Sequence, residues 1–147
     1  MFEKFWDTTS LIRRLYDKEM QPVCEHYQIT RMELDILLFL ANNPSFDTAR
    51  DIIERKKLTK SHVSASIKKL TERGLLETSY YPENRKNIHL KVQEEAREIV
   101  AKGREAQRAF GAVLTKNLSV EEIQELRDSF EKISDNIRTA LKEEGYR

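Results

Sequence analysis

The sequence is poor in residues that break helices and in residues that cross-link chains. Its 147 residues include 4 Gly, 3 Pro and one cysteine, Cys24. So few Gly and Pro predict a mainly helical protein, and a single cysteine excludes an intramolecular disulfide framework and fits a reducing compartment. No apolar run approaches the roughly 18 residues that a membrane span needs, and the first ten residues lack the pattern of a signal peptide. We therefore expect a cytoplasmic protein with no membrane partner.

Charge is abundant in this sequence, and its distribution is uneven. Charged residues make up 35% of the chain, yet the net charge is only +1. Residues 47–92 hold eleven Lys and Arg against six Asp and Glu, a net charge of +5, whereas 1–46 and 93–147 each carry −2. A basic middle segment between mildly acidic flanks indicates an acidic polymer as partner; the alternative is chance clustering in a charge-rich chain.

Helical periodicity covers the first part of the chain. An apolar stripe at helical spacing predicts a first helix, which Pro22 should kink or end unless it opens a new turn. Thr30 and Glu33 form the capping-box pattern S/T-x-x-E ahead of an apolar second helix, which the "NNP" at 42–44 stops. A third, shorter helix is predicted over roughly 48–56.

The fourth predicted helix begins after Thr59 and ends at Gly74, a residue type that favours helix ends. Its predicted inward stripe is Val63, Ile67 and Leu70. No acid occurs between Glu54 and Glu72. A helix that only had to be solvated would carry both Glu and Lys on its outer face. The predicted outward positions instead hold short or mediocre helix-forming side chains: Ser61, His62, Ser64, Ala65 and Ser66.

After this helix the periodicity changes. Two period-2 runs flank the turn signal "PENRKN" at 82–87 and predict a β-hairpin. A long helix follows over about 94–116, and Ser119 with Glu122 caps a last helix. Two short helices joined by a tight turn and followed by a hairpin make a winged helix-turn-helix. We predict a mainly α fold with a small β-hairpin wing, organised as one integrated unit. Its parts are an N-terminal dimerisation helix (1–29), a DNA-binding lobe (30–92) and C-terminal dimerisation helices (93–147).

These segments resemble the MarR family of bacterial transcription regulators along nearly the whole chain. "YQITRMELDILLFLA" is similar to the family's Leu-Thr-x-x-(Glu/Gln) opening of the second helix. "LTKSHVSASIKKLTERGLLE" resembles its recognition segment, and "YYPENRKNIHLKVQEEA" resembles its wing and the start of the long helix. The resemblance implies a winged helix-turn-helix dimer that binds double-stranded DNA, a regulator that is a repressor in the simplest case, and a small-molecule effector of unknown identity.

The unusual fourth helix fits this function. The second helix of a helix-turn-helix lies in the major groove, where short side chains let the backbone approach the base edges and lysines neutralise phosphates. A wing cation is favoured in a narrow minor groove. The candidate DNA-binding residues are Lys60, Ser61, His62, Ser64, Ala65, Lys68, Lys69, Arg85 and Lys86.

The terminal helices predict a homodimer; the alternative is that the first and last helices pack only within one chain. Their apolar stripes are too wide for a lone domain to leave in water, and such a patch usually marks an interface. The candidate interface residues are Phe2, Phe5, Ile12, Phe110, Val113, Leu126, Phe130 and Ile133. Candidate effector-pocket residues are Trp6, Tyr16 and His26.

Other classes of function have less support in the sequence. The histidines do not follow a metal-ligand spacing, and there is no phosphate-cradling Gly-rich loop. We therefore predict no metal, no cofactor and no enzymatic activity. Two alternatives remain open: a winged helix used only for protein contact, and a regulator that senses oxidants through Cys24. The latter has a neighbouring anion, Glu25, which does not favour a reactive thiol.

Overall fold

The computed structural model describes residues 1–56, 58–143 and 145, without the side chains of 84 and 85. These residues form six α-helices, a two-stranded hairpin and one 3-10 turn, in the order that the sequence predicts. The elements are α1 (Phe2–Tyr27), α2 (Arg31–Asn42), α3 (Ala49–Lys56), α4 (Lys60–Glu72), β1 (Leu76–Tyr81), β2 (Asn84–Val92), the turn Glu94–Ala96, α5 (Arg97–Leu114) and α6 (Val120–Glu143). The mainly α winged helix-turn-helix class is confirmed.

Three of the predicted helix ends agree with the structure. The Oγ1 atom of Thr30 accepts a hydrogen bond from the Glu33 backbone N–H at 3.1 Å and caps α2. Ser119 and Glu122 form the reciprocal capping box that opens α6. At the end of α4, Gly74 has φ +72°, and the N–H groups of Gly74 and Leu75 bond back to the carbonyls of Thr71 and Leu70. This is a Schellman motif, which needs a residue that tolerates positive φ.

Pro22 does not end the first helix, so that part of the prediction is wrong. The helix continues through Pro22 to Tyr27. Proline removes one backbone hydrogen bond and crowds the preceding turn. Burial on the opposite face offsets this cost, because Met20 and Val23 are buried in the core while Pro22 itself is exposed to water.

Backbone contacts divide the chain into two compact units, Met1–Phe110 and Gly111–Arg147. In the first unit, α2 lies at the centre and packs against α1, α4 and β2. Leu34, Ile36 and Leu37 of α2 are fully buried. The second unit consists chiefly of α6, in which no residue is buried. The predicted segment boundaries at 29/30 and 92/93 remain a prediction.

The hairpin is antiparallel and irregular near its tip. Leu76 pairs with Val92 and Ser79 with His89, but Tyr81 pairs with Asn84, so the register shifts before the turn. The turn itself contains only Pro82 and Glu83. The turn signal at 82–87 predicts that Arg85 and Lys86 lie in the turn at the hairpin tip, whereas the structure places both in β2, beyond the turn. Strand pairing resumes at Asn84, whereas the turn signal "PENRKN" extends to residue 87.

Candidate nucleic-acid interface

The helix-turn-helix is formed by α3 and α4, which pack on each other and on the core. The inward stripe predicted for α4 is confirmed: Val63, Ile67 and Leu70 are all buried. This stripe fixes the rotation of α4 about its own axis. Its remaining side chains therefore face outward as a consequence of packing.

All seven predicted contact residues of α4 are exposed. They are Lys60, Ser61, His62, Ser64, Ala65, Lys68 and Lys69. Within the part of the chain that the structure describes, none of the three lysines in this set forms an ion pair with a carboxylate. We call this set the α4 outer face. It presents positive charge and short polar groups with no acid among them.

Ser66 does not belong to the α4 outer face, although the sequence placed it outward. It is 9% exposed and lies on the inward side. Helical spacing explains the error, because position 66 is three residues from Val63 and four from Leu70. Ser66 is the same residue type as the outward-facing Ser61 and Ser64. Only its position around the helix axis shows that it faces inward.

The first turn of α4 has a further property suited to anions. Thr59 occupies the N-cap position, as predicted, but its side chain forms no capping hydrogen bond. The backbone N–H groups at a helix start have no partner within the helix and carry a partial positive charge. They can therefore donate to a phosphate oxygen.

The sequence prediction omitted the cations of α3. Arg50, Arg55 and Lys56 are all exposed on this helix. Arg50 donates to Glu54 at 2.8 Å, and this hydrogen bond raises the pKa of Arg50. The Arg55 guanidinium lies 3.4 Å from the centre of the Phe46 ring. Because the first helix of a helix-turn-helix crosses the DNA backbone, Lys and Arg in α3 were the signal that could have found these residues.

The wing is tied to the loop before α3 by contacts that the sequence did not predict. The His89 Nδ1 atom lies 3.1 and 3.2 Å from the two carboxylate oxygens of Asp47. The His89 ring stacks on Tyr81, with 3.8 Å between ring centres. The Leu90 backbone N–H donates to the Asp47 carbonyl at 2.7 Å. These contacts hold the root of the hairpin against the helix-turn-helix.

Farther along the wing, Tyr80, Tyr81 and Lys86 are exposed. The predicted Arg85 contact falls on a side chain outside the described part of the structure. Lys86 follows it in β2 and remains a candidate phosphate contact.

The three candidate effector residues lie along α1 at intervals of ten positions. Ten residues of helix span about 15 Å, so a pocket that contains all three needs surfaces beyond this helix. Trp6 is 66% exposed and His26 is also exposed. Tyr16 is half-buried: its ring lies 5.0 Å from the Phe110 ring, and its hydroxyl accepts a hydrogen bond from Gln107.

Six of the eight candidate interface residues are exposed, with Ile12 and Phe110 partly buried. Phe2 is 73%, Phe5 46%, Val113 53%, Leu126 46%, Phe130 51% and Ile133 44% exposed. Folding of the single chain therefore leaves these side chains exposed to water. So many large apolar side chains at helical spacing are unusual on the surface of a monomer.

The remaining chemistry of the described residues is limited. Burial raises the pKa of the half-buried Cys24 thiol. The nearby carboxylates of Asp35 and Glu33 raise this pKa as well, whereas Arg31 lowers it. No group of three His, Cys, Asp or Glu is arranged to hold a metal ion in the described ranges. None of the helices, as far as the structure describes them, is long and apolar enough to cross a membrane.

Comparison with known proteins supports the resemblance drawn from the sequence. The sequence model of the MarR family matches residues 27–80, which run from the end of α1 through most of β1. No curated protein matches the chain significantly. The match includes α2, the helix-turn-helix and the first wing strand, and the predicted resemblance to this family is confirmed.

Solved structures share the fold over nearly the full length. A MarR family transcriptional regulator from Listeria monocytogenes, complexed with a 26mer DNA, has a TM-score of 0.79 at 19% identity, covering 97% of this chain and 95% of its own. The Staphylococcus aureus MepR–DNA complex gives 0.73 at 17% identity, with 93% and 96% covered. Staphylococcus aureus MarR in complex with salicylate and kanamycin gives 0.75 at 22% identity, with 93% and 92% covered. At these identities the likeness establishes a common fold.

Proposed function

We propose that this protein is a transcription regulator that binds double-stranded DNA as a homodimer, through α4 in the major groove and the wing beside it. The α4 outer face carries the proposal. It is wholly exposed, it has cations without described acid partners, and it lies on the helix that this fold presents to DNA. The DNA-bound relatives from Listeria and Staphylococcus support the same use of the fold.

In this proposal the contacts divide into two kinds. Lys60, Lys68 and the start of α4 bind phosphates and set the position of the helix. Ser61, Ser64 and His62 reach base edges; serine bonds to several of them, so His62 is the more selective reader. The α3 cations add phosphate contacts on the flank of the site.

The dimer determines the form of the operator. Two copies related by a twofold axis would place their α4 helices roughly 34 Å apart, one turn of DNA, on a pseudo-palindrome. Occupation of such a site at a promoter would exclude polymerase, which makes repression the simplest outcome. The protein would act in the cytoplasm, where bacterial promoters lie.

A small-molecule effector would act through the same spacing. The Staphylococcus aureus MarR structure contains salicylate and kanamycin, so this fold accommodates small ligands. A ligand changes DNA affinity only if it binds one spacing of the two α4 helices more tightly than the other. Trp6, Tyr16 and His26 remain the candidate residues for this role.

The two alternatives have less support from the described residues. A protein-contact surface would favour large aromatic or apolar groups, and the α4 outer face has none. Sensing of oxidants through Cys24 needs a thiolate, and the pKa of Cys24 is raised rather than lowered.

The decisive experiment is selection of bound duplexes from a random DNA pool, followed by measurement of affinity for the selected site. We expect a pseudo-palindromic sequence. Lys68→Glu should abolish specific binding without unfolding the protein, because it replaces attraction to phosphate by repulsion at an exposed position. Lys102→Glu is the matched control, since it makes the same charge change at an exposed position of α5, where Lys102 pairs with Glu105 of its own helix. If the selection yields no enriched sequence, or if Lys68→Glu binds like the wild type, the proposal is wrong.

A further inference from the structure

The wing and the loop before α3 are joined by their backbones over a short stretch. Thr48 forms an isolated antiparallel bridge with His89. The neighbouring residues are bonded as well, because the Leu90 backbone N–H donates to the Asp47 carbonyl at 2.7 Å. A hairpin that is paired with its support over two residues can still pivot about that pairing. The direction of the outer wing therefore needs a further contact to fix it.

His89 supplies this contact in two directions. Its Nδ1 atom lies 3.1 and 3.2 Å from the carboxylate oxygens of Asp47. Its ring stacks on Tyr81 of β1, with 3.8 Å between ring centres and 27° between the ring planes. Because a carboxylate only accepts hydrogen bonds at neutral pH, Nδ1 is the donor. The His89 side chain, which is 16% exposed, therefore links the loop to both strands of the wing.

Asp47 is a firm point of attachment, since the residue after it opens α3. The backbone N–H and the Oγ1 atom of Thr48 donate to the Asp51 carboxylate at 3.2 and 2.7 Å, and the Asp51 backbone N–H donates to Thr48 Oγ1 at 3.1 Å. This reciprocal capping box fixes the backbone beside Asp47 relative to α3. The direction of the wing is thus tied to the helix-turn-helix through Asp47 and His89.

We infer that His89 is a positioning residue for DNA recognition, which sets where along the operator the wing reaches the duplex. This inference rests on the proposed function. A wing cation such as Lys86 is favoured where the minor groove is narrow, and the width of the groove depends on the base sequence. A wing held in one direction therefore prefers particular base pairs, whereas a pivoting wing averages over neighbouring ones. His89 acts through the wing and need not touch DNA itself.

The test compares the base preferences that the wild type, Lys86→Ala and His89→Phe select from a random duplex pool. Positions that lose their preference in Lys86→Ala identify the part of the operator that the wing reads. Phe keeps a ring against Tyr81 but cannot bond to Asp47. We expect His89→Phe to lose preference at those same positions and to keep the preferences read by α4. It should bind the wild-type operator up to about tenfold more weakly, the usual scale for one hydrogen bond to a charged group.

Rescue and a second variant separate positioning from general stability. His89→Asn places an amide N–H at the same number of bonds from Cβ as Nδ1, and it should restore part of the lost preference. Asp47→Ala breaks the same contact from the loop and should reproduce the pattern of His89→Phe, which tests the inference even if His89→Phe does not fold. Asp128→Ala removes an exposed carboxylate of α6 and should select the wild-type sequence.

The outcomes distinguish this inference from the proposed function. If the wild type enriches an operator and the preferences weaken uniformly in His89→Phe and Asp47→Ala, the role of the contact is purely structural and the inference is wrong. Unchanged preferences in both variants, or no position lost in Lys86→Ala, would overturn it while DNA binding by α4 stands. No enriched sequence for the wild type would remove the proposed function, and this inference with it.

Discussion

Two helices of this protein, α2 and α6, carry eight apolar residues each but bury them very differently. Seven residues of α2 are buried, although the helix has only 12 residues. The 24 residues of α6 include no buried residue, although it carries a stripe of large apolar side chains. That stripe consists of Ile123, Leu126, Phe130, Ile133, Ile137 and Leu141.

The difference shows what an amphipathic pattern establishes. It shows that a helix has a face to bury, but the partner of that face is a separate question. For α2 the partner is the rest of the same chain. For α6 the stripe remains 41–54% exposed from Leu126 to Leu141. Burial of apolar surface contributes about 25 cal/mol per Å², and for this reason we propose that a second chain covers the α6 stripe.

The largest expected effect follows from placing a charge on the α6 stripe. Phe130→Asp should convert the dimer that we propose into monomers, or unfold the chain if folding and assembly are one event. DNA affinity should fall with it, because one α4 cannot supply the contacts of two. Sedimentation at micromolar concentration measures the mass of both proteins.

Two controls connect this result to the comparison. Thr139→Asp adds the same charge on the opposite face of α6 and should leave the dimer intact. Leu37→Asp buries the charge at the centre of α2 and should unfold the protein at every concentration, because its partner is within the chain. A monomeric mass for the wild type would remove the dimer and the palindrome from the proposal.

The second effect concerns how closely α2 packs on α5. A Cβ atom at Gly103 would lie 2.7 Å from Cδ2 and 3.1 Å from Cγ of Leu38, which is itself buried. Overpacking of this kind costs about 1–3 kcal/mol, more than the roughly 0.5–1 kcal/mol that Ala gains over Gly in a helix. Gly103→Ala should therefore lower the free energy of unfolding.

Gly111 provides the matched control in the same helix. Apart from its chain neighbours and the backbone of its own helix, no atom of the described residues lies within 4 Å of a Cβ built at this position. Gly111→Ala should therefore stabilise the protein by about 0.5–1 kcal/mol. Urea unfolding at one protein concentration measures both variants. Equal stabilities for the two would show that the contact of Gly103 with Leu38 relaxes easily and that the centre is less closely packed than it looks.

A smaller effect is expected at the wing, where Tyr80, Tyr81 and Lys86 are exposed to water, as the α6 stripe is. Arg85→Ala combined with Lys86→Ala should weaken binding and reduce its salt dependence. Up to four positive charges per dimer are removed, each worth about 0.9 in the slope of log K against log salt. Lys102→Ala, at an exposed position of α5, should leave the slope unchanged. An unaltered slope in the double variant would show that the wing does not touch phosphates.

Local signals were sufficient to predict much of the fold. Thr30 and Ser119 cap the starts of helices, and Gly74 ends one. Each acts on backbone groups only a few residues away, so its sequence pattern can be interpreted without the tertiary structure. The inward stripe of α4 was predicted for the same reason. These features fix the order of elements and the rotation of α4.

Features that depend on distant partners could not be predicted. The helix continues past Pro22 because Met20 and Val23 pack on the core. The His89–Asp47 contact joins residues 42 positions apart. Ser66 was misplaced because composition outweighed helical phase.

The smallest expected effect concerns Cys24, the single cysteine, which is partly buried in α1. Cys24 is half-buried, and burial is the main cause of its raised pKa, while Arg31 alone among the neighbouring side chains lowers it. Only the thiolate is alkylated at an appreciable rate. Iodoacetamide should therefore react with Cys24 more slowly than with an unstructured cysteine at neutral pH, and the rate should rise as the pH increases toward the raised pKa.

Arg31→Met removes the stabilising charge and should slow the reaction further, whereas Arg31→Lys should restore part of the rate. Mass spectrometry of the alkylated chain gives the rate directly because no other cysteine competes. A reaction faster than that of the unstructured thiol would contradict the raised pKa and return the oxidant-sensing alternative to consideration.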